Sequence, residues 1–255
     1  MYMLLGVFIT PEETEQVLMP ALSWVMPRPV WPPGPFGGGP RSSRQSLALG
    51  LSLLWCIRLV AFVGYRVLVR GRDFRFDNLM RGKAFNLFGW TSGGVWCWVN
   101  PFCLWVLASV KDARPLAFFD FVGVLVFSFG LLLETLSDIQ KYFFNVDHKS
   151  GENKKFIRSG LWSWSRHPNY VGEITAWIGL AIICSQADGV WGTRNMFLVA
   201  VSPIFSCFFL VFTSLMLLEK RGDKKWGKNK IWNEYKKSTP VLFPSSLPPW
   251  ECYRI

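Results

Sequence analysis

Long apolar runs separated by short charged segments dominate the chain from residue 45 onward. Because about 20 helical residues cross the hydrocarbon core of a bilayer, runs of this length predict transmembrane helices. Pro101 predicts a bend in the second run, since proline removes a helical hydrogen bond. The fourth run is short and becomes long enough to cross only with the residues that precede it. The predicted spans are Gln45–Tyr65, Ala84–Val110, Leu116–Leu133, Ile174–Ala187 and Met196–Leu218.

The first 45 residues lack this pattern. Pro27–Pro40 is rich in proline and glycine, which break helices and strands alike, and Met1–Thr10 is apolar but too short to span a bilayer. The segment has neither the basic start nor the small-residue cleavage site that a signal peptide requires. The predicted organisation is a poorly structured segment over residues 1–45 and one membrane domain over residues 46–255. Its predicted fold class is all-α, a bundle of about five transmembrane helices with cytosolic cofactor-binding loops.

Composition supports an integral membrane protein, since 51% of the residues are hydrophobic and 16% are aromatic. The net charge of +11 would also suit nucleic-acid binding, but the basic residues lie between the apolar runs, as the positive-inside rule predicts. The segments 66–83, 138–166 and 219–255 hold 21 of the 28 lysines and arginines. We therefore expect a cytosolic C-terminus and no nucleic-acid partner. The six cysteines have no metal-binding spacing and predict no disulfide framework.

The stretch Arg158–Trp177 departs most from a plain membrane pattern. Tryptophans and tyrosine alternate there with Arg158, Arg166, His167, Asn169 and Glu173 directly before an apolar run. Polar and ionisable groups at the mouth of a membrane helix are costly, and they therefore indicate a functional site.

Two further polar segments flank the predicted spans on the same side. Glu134, Asp138 and Lys141 follow the third span at helical spacing and share one face, and the segment after the fifth span contains Glu219, Lys225 and Tyr235. Arginine suits phosphate, carboxylates and asparagine suit hydroxyls or an amide, and aromatic rings suit stacking. This combination predicts a nucleotide cofactor, although neither G-x-G-x-x-G nor a P-loop sequence is present.

Structural interpretations compete with each of these assignments. Lysines after a span often contact lipid headgroups, tryptophans near helix ends often form an interfacial belt, and Arg58 is able to extend toward the interface. Asp120 is interpreted as an interfacial residue on the far side of the membrane.

The sequence from Gly160 to Glu173, G-L-W-S-W-S-R-H-P-N-Y-V-G-E, resembles the membrane-embedded steroid 5α-reductase-like superfamily. The segments L-W-C-I-R-L with G-R-D-F-R-F, E-T-L-S-D-I-Q-K, and L-L-E-K with N-E-Y-K-K-S-T-P-V-L-F-P agree in order and spacing. The likeness covers roughly residues 46–244 and is closest to a branch of undetermined substrate. Relatives in the superfamily bind NADPH or S-adenosylmethionine, and R-H-P-x-Y occurs with both. The resemblance implies a cofactor site formed by Asp138, Lys141, Arg158, Arg166, His167, Asn169, Tyr170, Glu173, Glu219, Lys225 and Tyr235.

The acidic E-x-x-x-D-x-Q-K segment resembles the reductase side of the superfamily. It implies an endoplasmic reticulum oxidoreductase that uses NADPH to reduce a carbon–carbon double bond in a lipid, with Tyr170, Glu173 and Tyr235 as candidate proton donors. Two alternatives stay open. One is an S-adenosylmethionine-dependent methyltransferase acting on a lipid or a prenylcysteine. The other is an inactive, truncated lipid-binding protein, because relatives usually carry about seven spans and this chain has a Pro/Gly-rich stretch in place of the first ones.

Overall fold

A computed structural model of the chain describes residues 41–70, 83–147, 156–190, 192 and 194–243. Within these residues the regular secondary structure is helical and contains no strand, which confirms the all-α prediction. A 3₁₀ turn covers Gly160–Ser163, and a π-helical segment, Leu210–Leu215, joins two of the α-helices. The α-helices are α1 (Ser43–Arg70), α2 (Lys83–Val99), α3 (Phe102–Ser109), α4 (Phe118–Asp147), α5 (Pro168–Ser185), α6 (Arg194–Phe209), α7 (Met216–Trp226) and α8 (Lys230–Ser238).

Three helical stretches are long and apolar enough to cross a membrane. They are Ser43–Tyr65, Phe118–Val146 and Arg194–Trp226, the last formed by α6, the π-helical segment and α7. They correspond to the first, third and fifth predicted spans. The other two predicted spans fold as helices, α2 with α3 and then α5, and their crossing of the bilayer stays a prediction.

The helix from Lys83 is interrupted where the sequence predicts a bend. Helix α2 ends at Val99 and α3 begins at Phe102, so Asn100 and Pro101 form the break. The absence of a proline N–H makes an unbroken helix costly at this position.

Helix α4 is much longer than the predicted span that ended at Leu133. It continues to Asp147, and it therefore carries Glu134, Asp138 and Lys141 on one helix as predicted. The apolar pattern marks where the membrane-like part of the sequence stops, but the polar residues that follow keep a helical backbone.

The chain divides into two compact units. The first consists of the described residues up to Asp120 together with Ile183–Ser202, and the second consists of Phe121–Ile182 and the residues from Pro203 onward.

A buried ion cluster organises the first unit. Arg44 is 1% exposed and donates from Nε and Nη2 to Asp120, at 2.8 and 2.9 Å, and from Nη1 to both carboxylate oxygens of Asp112, at 2.7 and 2.6 Å. Its Nη2 also donates to the carbonyl of Pro115 at 3.0 Å. Asp120 is therefore a buried partner of this arginine, and its predicted position at the far membrane interface stays a prediction.

Glycines let α4 and α5 approach closely within the second unit. A Cβ atom on Gly172 would lie 2.5 Å from the backbone nitrogen of Glu134, and one on Gly130 would lie 2.4 Å from that of Ala176. A third close contact joins Gly179 to Phe127. Small residues at such contacts allow backbones to pack directly against each other. The packing fixes the C-terminal half of α4 against the start of α5.

Candidate functional site

The 3₁₀ turn before α5 is held against α4 by hydrogen bonds. The backbone N–H of Leu161 donates to Oε1 of Gln140 at 3.1 Å, and the indole N–H of Trp162 donates to the carbonyl of Ser137 at 3.1 Å. Gly160 has φ 61° and lies against the Gln140 side chain, a conformation that glycine adopts without steric cost. Residues 160–162 are thereby fixed to the polar end of α4.

Helix α8 and the residues after it hold the same stretch from another side. The Tyr235 hydroxyl donates to the carbonyl of Trp162 at 2.5 Å, and the backbone N–H of Arg166 donates to the carbonyl of Pro240 at 3.0 Å. Burial raises the pKa of the Tyr235 hydroxyl. A buried hydroxyl that donates to a main-chain carbonyl fixes the backbone beside Arg166.

Three predicted residues meet in one buried cluster. Arg166 forms an ion pair with Glu219 through Nη1, and Nε2 of His167 lies 2.9 Å from the other carboxylate oxygen of Glu219. The side chains of Arg166, Glu219 and His167 are only 9%, 17% and 8% exposed. One carboxylate therefore orients the side chains of both Arg166 and His167 in a site with little water.

His167 is held in its neutral form. Burial lowers the pKa of this imidazole below its ordinary value, and the hydrogen bond to Glu219 opposes that shift without reversing it. Because a carboxylate only accepts hydrogen bonds, the Nε2 atom carries the proton of the neutral ring. The Tyr170 ring stacks on His167 with centroids 5.4 Å apart and an interplanar angle of 16°.

Asn169 and Arg166 each retain a buried polar atom that has no hydrogen-bond partner among the described residues. Asn169 donates from Nδ2 to Oδ1 of Asp138 at 3.4 Å, but its own Oδ1 has no donor. Arg166 uses Nη1, while its Nε–H has no acceptor. Leaving such groups buried and unsatisfied costs about 1–3 kcal/mol each. A ligand that accepts from Arg166 and donates to Asn169 would remove this cost.

An aromatic cluster that the sequence interpretation missed supports the site. The Phe156 ring lies 4.9 Å from Trp232 and 5.6 Å from Tyr235, measured between centroids. Asp223 accepts from the Trp232 indole at 3.0 Å and forms an ion pair with Lys236 at 2.7 Å. The sequence offered one signal for this arrangement, since Trp232 and Lys236 lie on one face of an amphipathic segment.

The remaining predicted residues have other surroundings. Lys141 lies over the Trp162 ring at 4.3 Å, and Lys225 is exposed and lies over Trp226 at 4.5 Å. Glu173 is buried on α5. Arg158 is exposed and has no ion pair within the described part of the chain. The polar residues at 72–75 and His148 lie outside the described residues.

Comparisons with known proteins identify one matching family and two curated relatives. Residues 36–239 match the model of a family described as a protein of unknown function (DUF1295). The chain is 26% identical over 124 residues to steroid 5-alpha-reductase DET2 of Solanum lycopersicum, covering 48% of this chain and 40% of that protein. It is 32% identical over 92 residues to a probable 7-dehydrocholesterol reductase of Acanthamoeba polyphaga mimivirus, covering 35% of this chain and 17% of the relative.

The chain thus spans less than half the length of either curated relative. No solved structure matches it at a significant level. The family match covers most of the chain and includes α4, the 3₁₀ turn, α5, α7 and α8. The chain therefore belongs to the DUF1295 family, which confirms its resemblance to the steroid 5α-reductase-like superfamily.

Proposed function

We propose that this protein is a membrane-embedded reductase that uses NADPH to reduce a carbon–carbon double bond in a lipid, such as a sterol, another isoprenoid or an acyl chain. The observation that carries the proposal is the pair of buried atoms that lack partners in the described part of the chain, Nε of Arg166 and Oδ1 of Asn169. The two curated relatives, both named as reductases of steroids or sterols, support this chemistry over methyl transfer.

The two atoms fit a nucleotide better than a simple anion. The ionised oxygens of a phosphodiester accept from the Arg166 guanidinium, but they have no proton for the carbonyl oxygen of Asn169. A ribose hydroxyl or a carboxamide does donate, so a ligand with both groups satisfies both atoms. Asp138 positions Asn169 through the hydrogen bond between their side chains. Lys141 adds a positive charge on α4, the helix that carries Asp138.

The chain's own residues have distinct tasks in this proposal. When bound, NADPH supplies the hydride that adds to the alkene. Glu219 holds Arg166 in place, and neutral His167 supports the Tyr170 ring by stacking. Tyr170 and Glu173 lie three residues apart on one face of α5, and we assign them the donation of a proton to the lipid. Tyr235 is not used as the donor, because its hydroxyl is bound to the Trp162 carbonyl.

The proposal includes a location and an orientation. We place the basic segments and the C-terminus in the cytosol and the protein in the endoplasmic reticulum. A tag at the C-terminus of the chain in sealed microsomes should be removed by an added protease. A tag that survives until the membrane is dissolved would refute this orientation.

Cofactor binding is the direct test. Thermal melting of the purified protein in lipid nanodiscs should shift upward with NADPH and not with S-adenosylmethionine. Arg166→Gln and Asn169→Ala should each weaken NADPH binding about 10- to 100-fold, because each removes a buried polar contact worth about 1.5–3 kcal/mol.

Lys230→Ala is the matched control, since it removes a basic charge from an exposed side chain of α8. Its affinity for NADPH should equal that of the wild type. An upward shift with S-adenosylmethionine alone would assign the protein to methyl transfer. Unchanged NADPH affinity in both site variants would remove the site assignment.

A further inference from the structure

Asn100 is a buried polar residue outside the site described above. It lies at the break between α2 and α3, within a 27-residue stretch, Ala84–Val110, that contains no charged residue. Its side chain is 1% exposed, and neither its Nδ2 nor its Oδ1 has a hydrogen-bond partner among the described residues. A side-chain amide buried to this degree is not accessible to bulk water.

The usual structural reasons for an asparagine at a helix break do not apply. Asparagine often caps the following helix through its side chain, but α3 begins after Pro101 without a side-chain cap. The backbone N–H of Asn100 already donates to the carbonyl of Trp96 at 3.0 Å. The side-chain amide therefore contributes nothing to the local backbone hydrogen bonding.

The first turn of α3 holds a second polar atom of this kind. The indole Nε1 of Trp105 is buried and has no acceptor within the described ranges. Other polar groups of the same unit do have partners: Ser202 Oγ accepts from the backbone N–H of Cys103 at 2.8 Å, and Gln45 Nε2 donates to the carbonyl of Leu107 at 3.1 Å. Asn100 and Trp105 differ from their surroundings in this respect.

We propose that Asn100 and Trp105 form a binding site for the hydroxyl group of an uncharged lipid. The free positions comprise one acceptor oxygen and several N–H donors. A hydroxyl donates to the oxygen and accepts from the nitrogens, whereas an ether or ketone only accepts, and a carboxylate meets the Asn100 oxygen with like charge. The uncharged sequence around the site suits the apolar part of such a lipid. The inference does not depend on NADPH reduction.

The test compares three lipids that differ only in their oxygen function. Phosphatidylcholine nanodiscs holding the wild-type chain are supplemented with oleyl alcohol, oleyl methyl ether or 9-octadecene. We expect the alcohol to raise the melting temperature by about 2–4 °C and the ether and the hydrocarbon to have smaller effects in that order.

Asn100→Leu keeps the number and branching of the side-chain heavy atoms and removes the amide. It should melt no lower than wild type without added lipid, because an unsatisfied amide has been replaced by an apolar group, and it should lose the preference for alcohol over hydrocarbon. Trp105→Phe keeps an aromatic ring and should reduce that preference. Asn145→Leu, at an exposed position of α4, should behave like wild type.

Three results would overturn the inference. Equal shifts with all three lipids would mean that water alone satisfies the amide. A full alcohol preference in both Asn100→Leu and Trp105→Phe would place the hydroxyl elsewhere. A strong loss of stability in Asn100→Leu, together with an unchanged preference in Trp105→Phe, would assign Asn100 a structural role. An NADPH-induced shift measured on the same samples keeps these results separate from a failure of the proposed function.

Discussion

The two units of the molecule each bury an arginine, and the two arginines are satisfied to different degrees. All three guanidinium nitrogens of Arg44 donate, in five hydrogen bonds to Asp112, Asp120 and the carbonyl of Pro115. Arg166 has a partner for Nη1 in Glu219, while its Nε–H is buried without one among the described residues.

This difference separates a structural cation from a binding one. A guanidinium whose donors all meet protein oxygens has nothing left for a ligand, so the Arg44 cluster joins the start of α1 to Asp112 and Asp120. A guanidinium with an unused buried donor has lost water without full compensation, as a site prepared for a ligand does. Buried polarity by itself does not distinguish the two; the count of satisfied donors does.

The largest expected effect is the loss of stability when an arginine is replaced in the absence of ligand, and it should differ between the two arginines. Arg44→Gln leaves two buried carboxylates without their cation and should lower the free energy of unfolding by about 3–5 kcal/mol. Arg166→Gln should cost less, because Glu219 keeps His167 as a partner and is more exposed than the aspartates. Thermal melting in nanodiscs measures both.

Arg114→Gln serves as the control for these variants. Arg114 pairs with Asp188, but its side chain is 59% exposed, and exposed pairs contribute only about 0–1 kcal/mol. If Arg166→Gln proves as destabilising as Arg44→Gln, the Arg166 cluster is structural and the contrast between the two units fails.

The second prediction concerns the packing that holds the Arg166 cluster against α4. Gly172→Ala places a Cβ atom 2.5 Å from the backbone nitrogen of Glu134, and it should destabilise the protein by about 1–3 kcal/mol. Since backbone atoms cannot rotate away, α5 must shift, and the contact between Asn169 and Asp138 should lengthen. NADPH affinity should fall together with stability.

Gly50→Ala is the matched control, because a Cβ atom there meets no atom of the described residues within 4 Å. It should instead raise stability by up to about 1 kcal/mol through helix propensity. A Gly172→Ala protein that melts and binds NADPH like the wild type would show that the close helix contact does not position the site.

The sequence pattern is sufficient to predict those features that depend on residues close together in the sequence. Apolar runs predicted the helices, Pro101 predicted the break, and helical spacing placed Asp138 and Lys141 on one face. The predicted third span ended too early at Leu133, because a loss of hydropathy marks the end of the apolar part and α4 continues to Asp147. The resemblance at Gly160–Glu173 directed attention to residues that do meet in one cluster.

Contacts between distant residues were beyond the reach of the pattern. Arg44 lies 76 positions from Asp120, and no local spacing relates them, so the pattern does not indicate that the two side chains pair. The Tyr235 hydroxyl donates a hydrogen bond to the Trp162 carbonyl, 73 positions away, and the sequence pattern does not predict this bond for the same reason. Residue type indicated which side chains are polar, while only the fold shows which of their atoms already have partners.

The smallest expected effect is a difference between the Arg166 cluster and the Arg44 cluster in how their contribution to stability depends on pH. The pKa of His167 is lowered by burial, so the unfolded chain binds a proton more readily than the folded one. The stabilising contribution of neutral His167 is complete above the ordinary histidine pKa of about 6.5 and is lost as pH falls toward the lowered value. The Arg44 cluster contains no histidine and should show no such loss in this range.

Melting temperatures of wild type and His167→Asn between about pH 5 and 7.5 measure the difference. The wild type should lose stability toward pH 5 more steeply than His167→Asn, whose side chain does not titrate. Parallel curves for the two proteins would mean that His167 gains its proton as easily in the fold as in the unfolded chain. Glu219 would then hold a charged imidazolium beside Arg166, and the carboxylate could no longer fully compensate the arginine, which would make the cluster more strongly anion-binding than proposed.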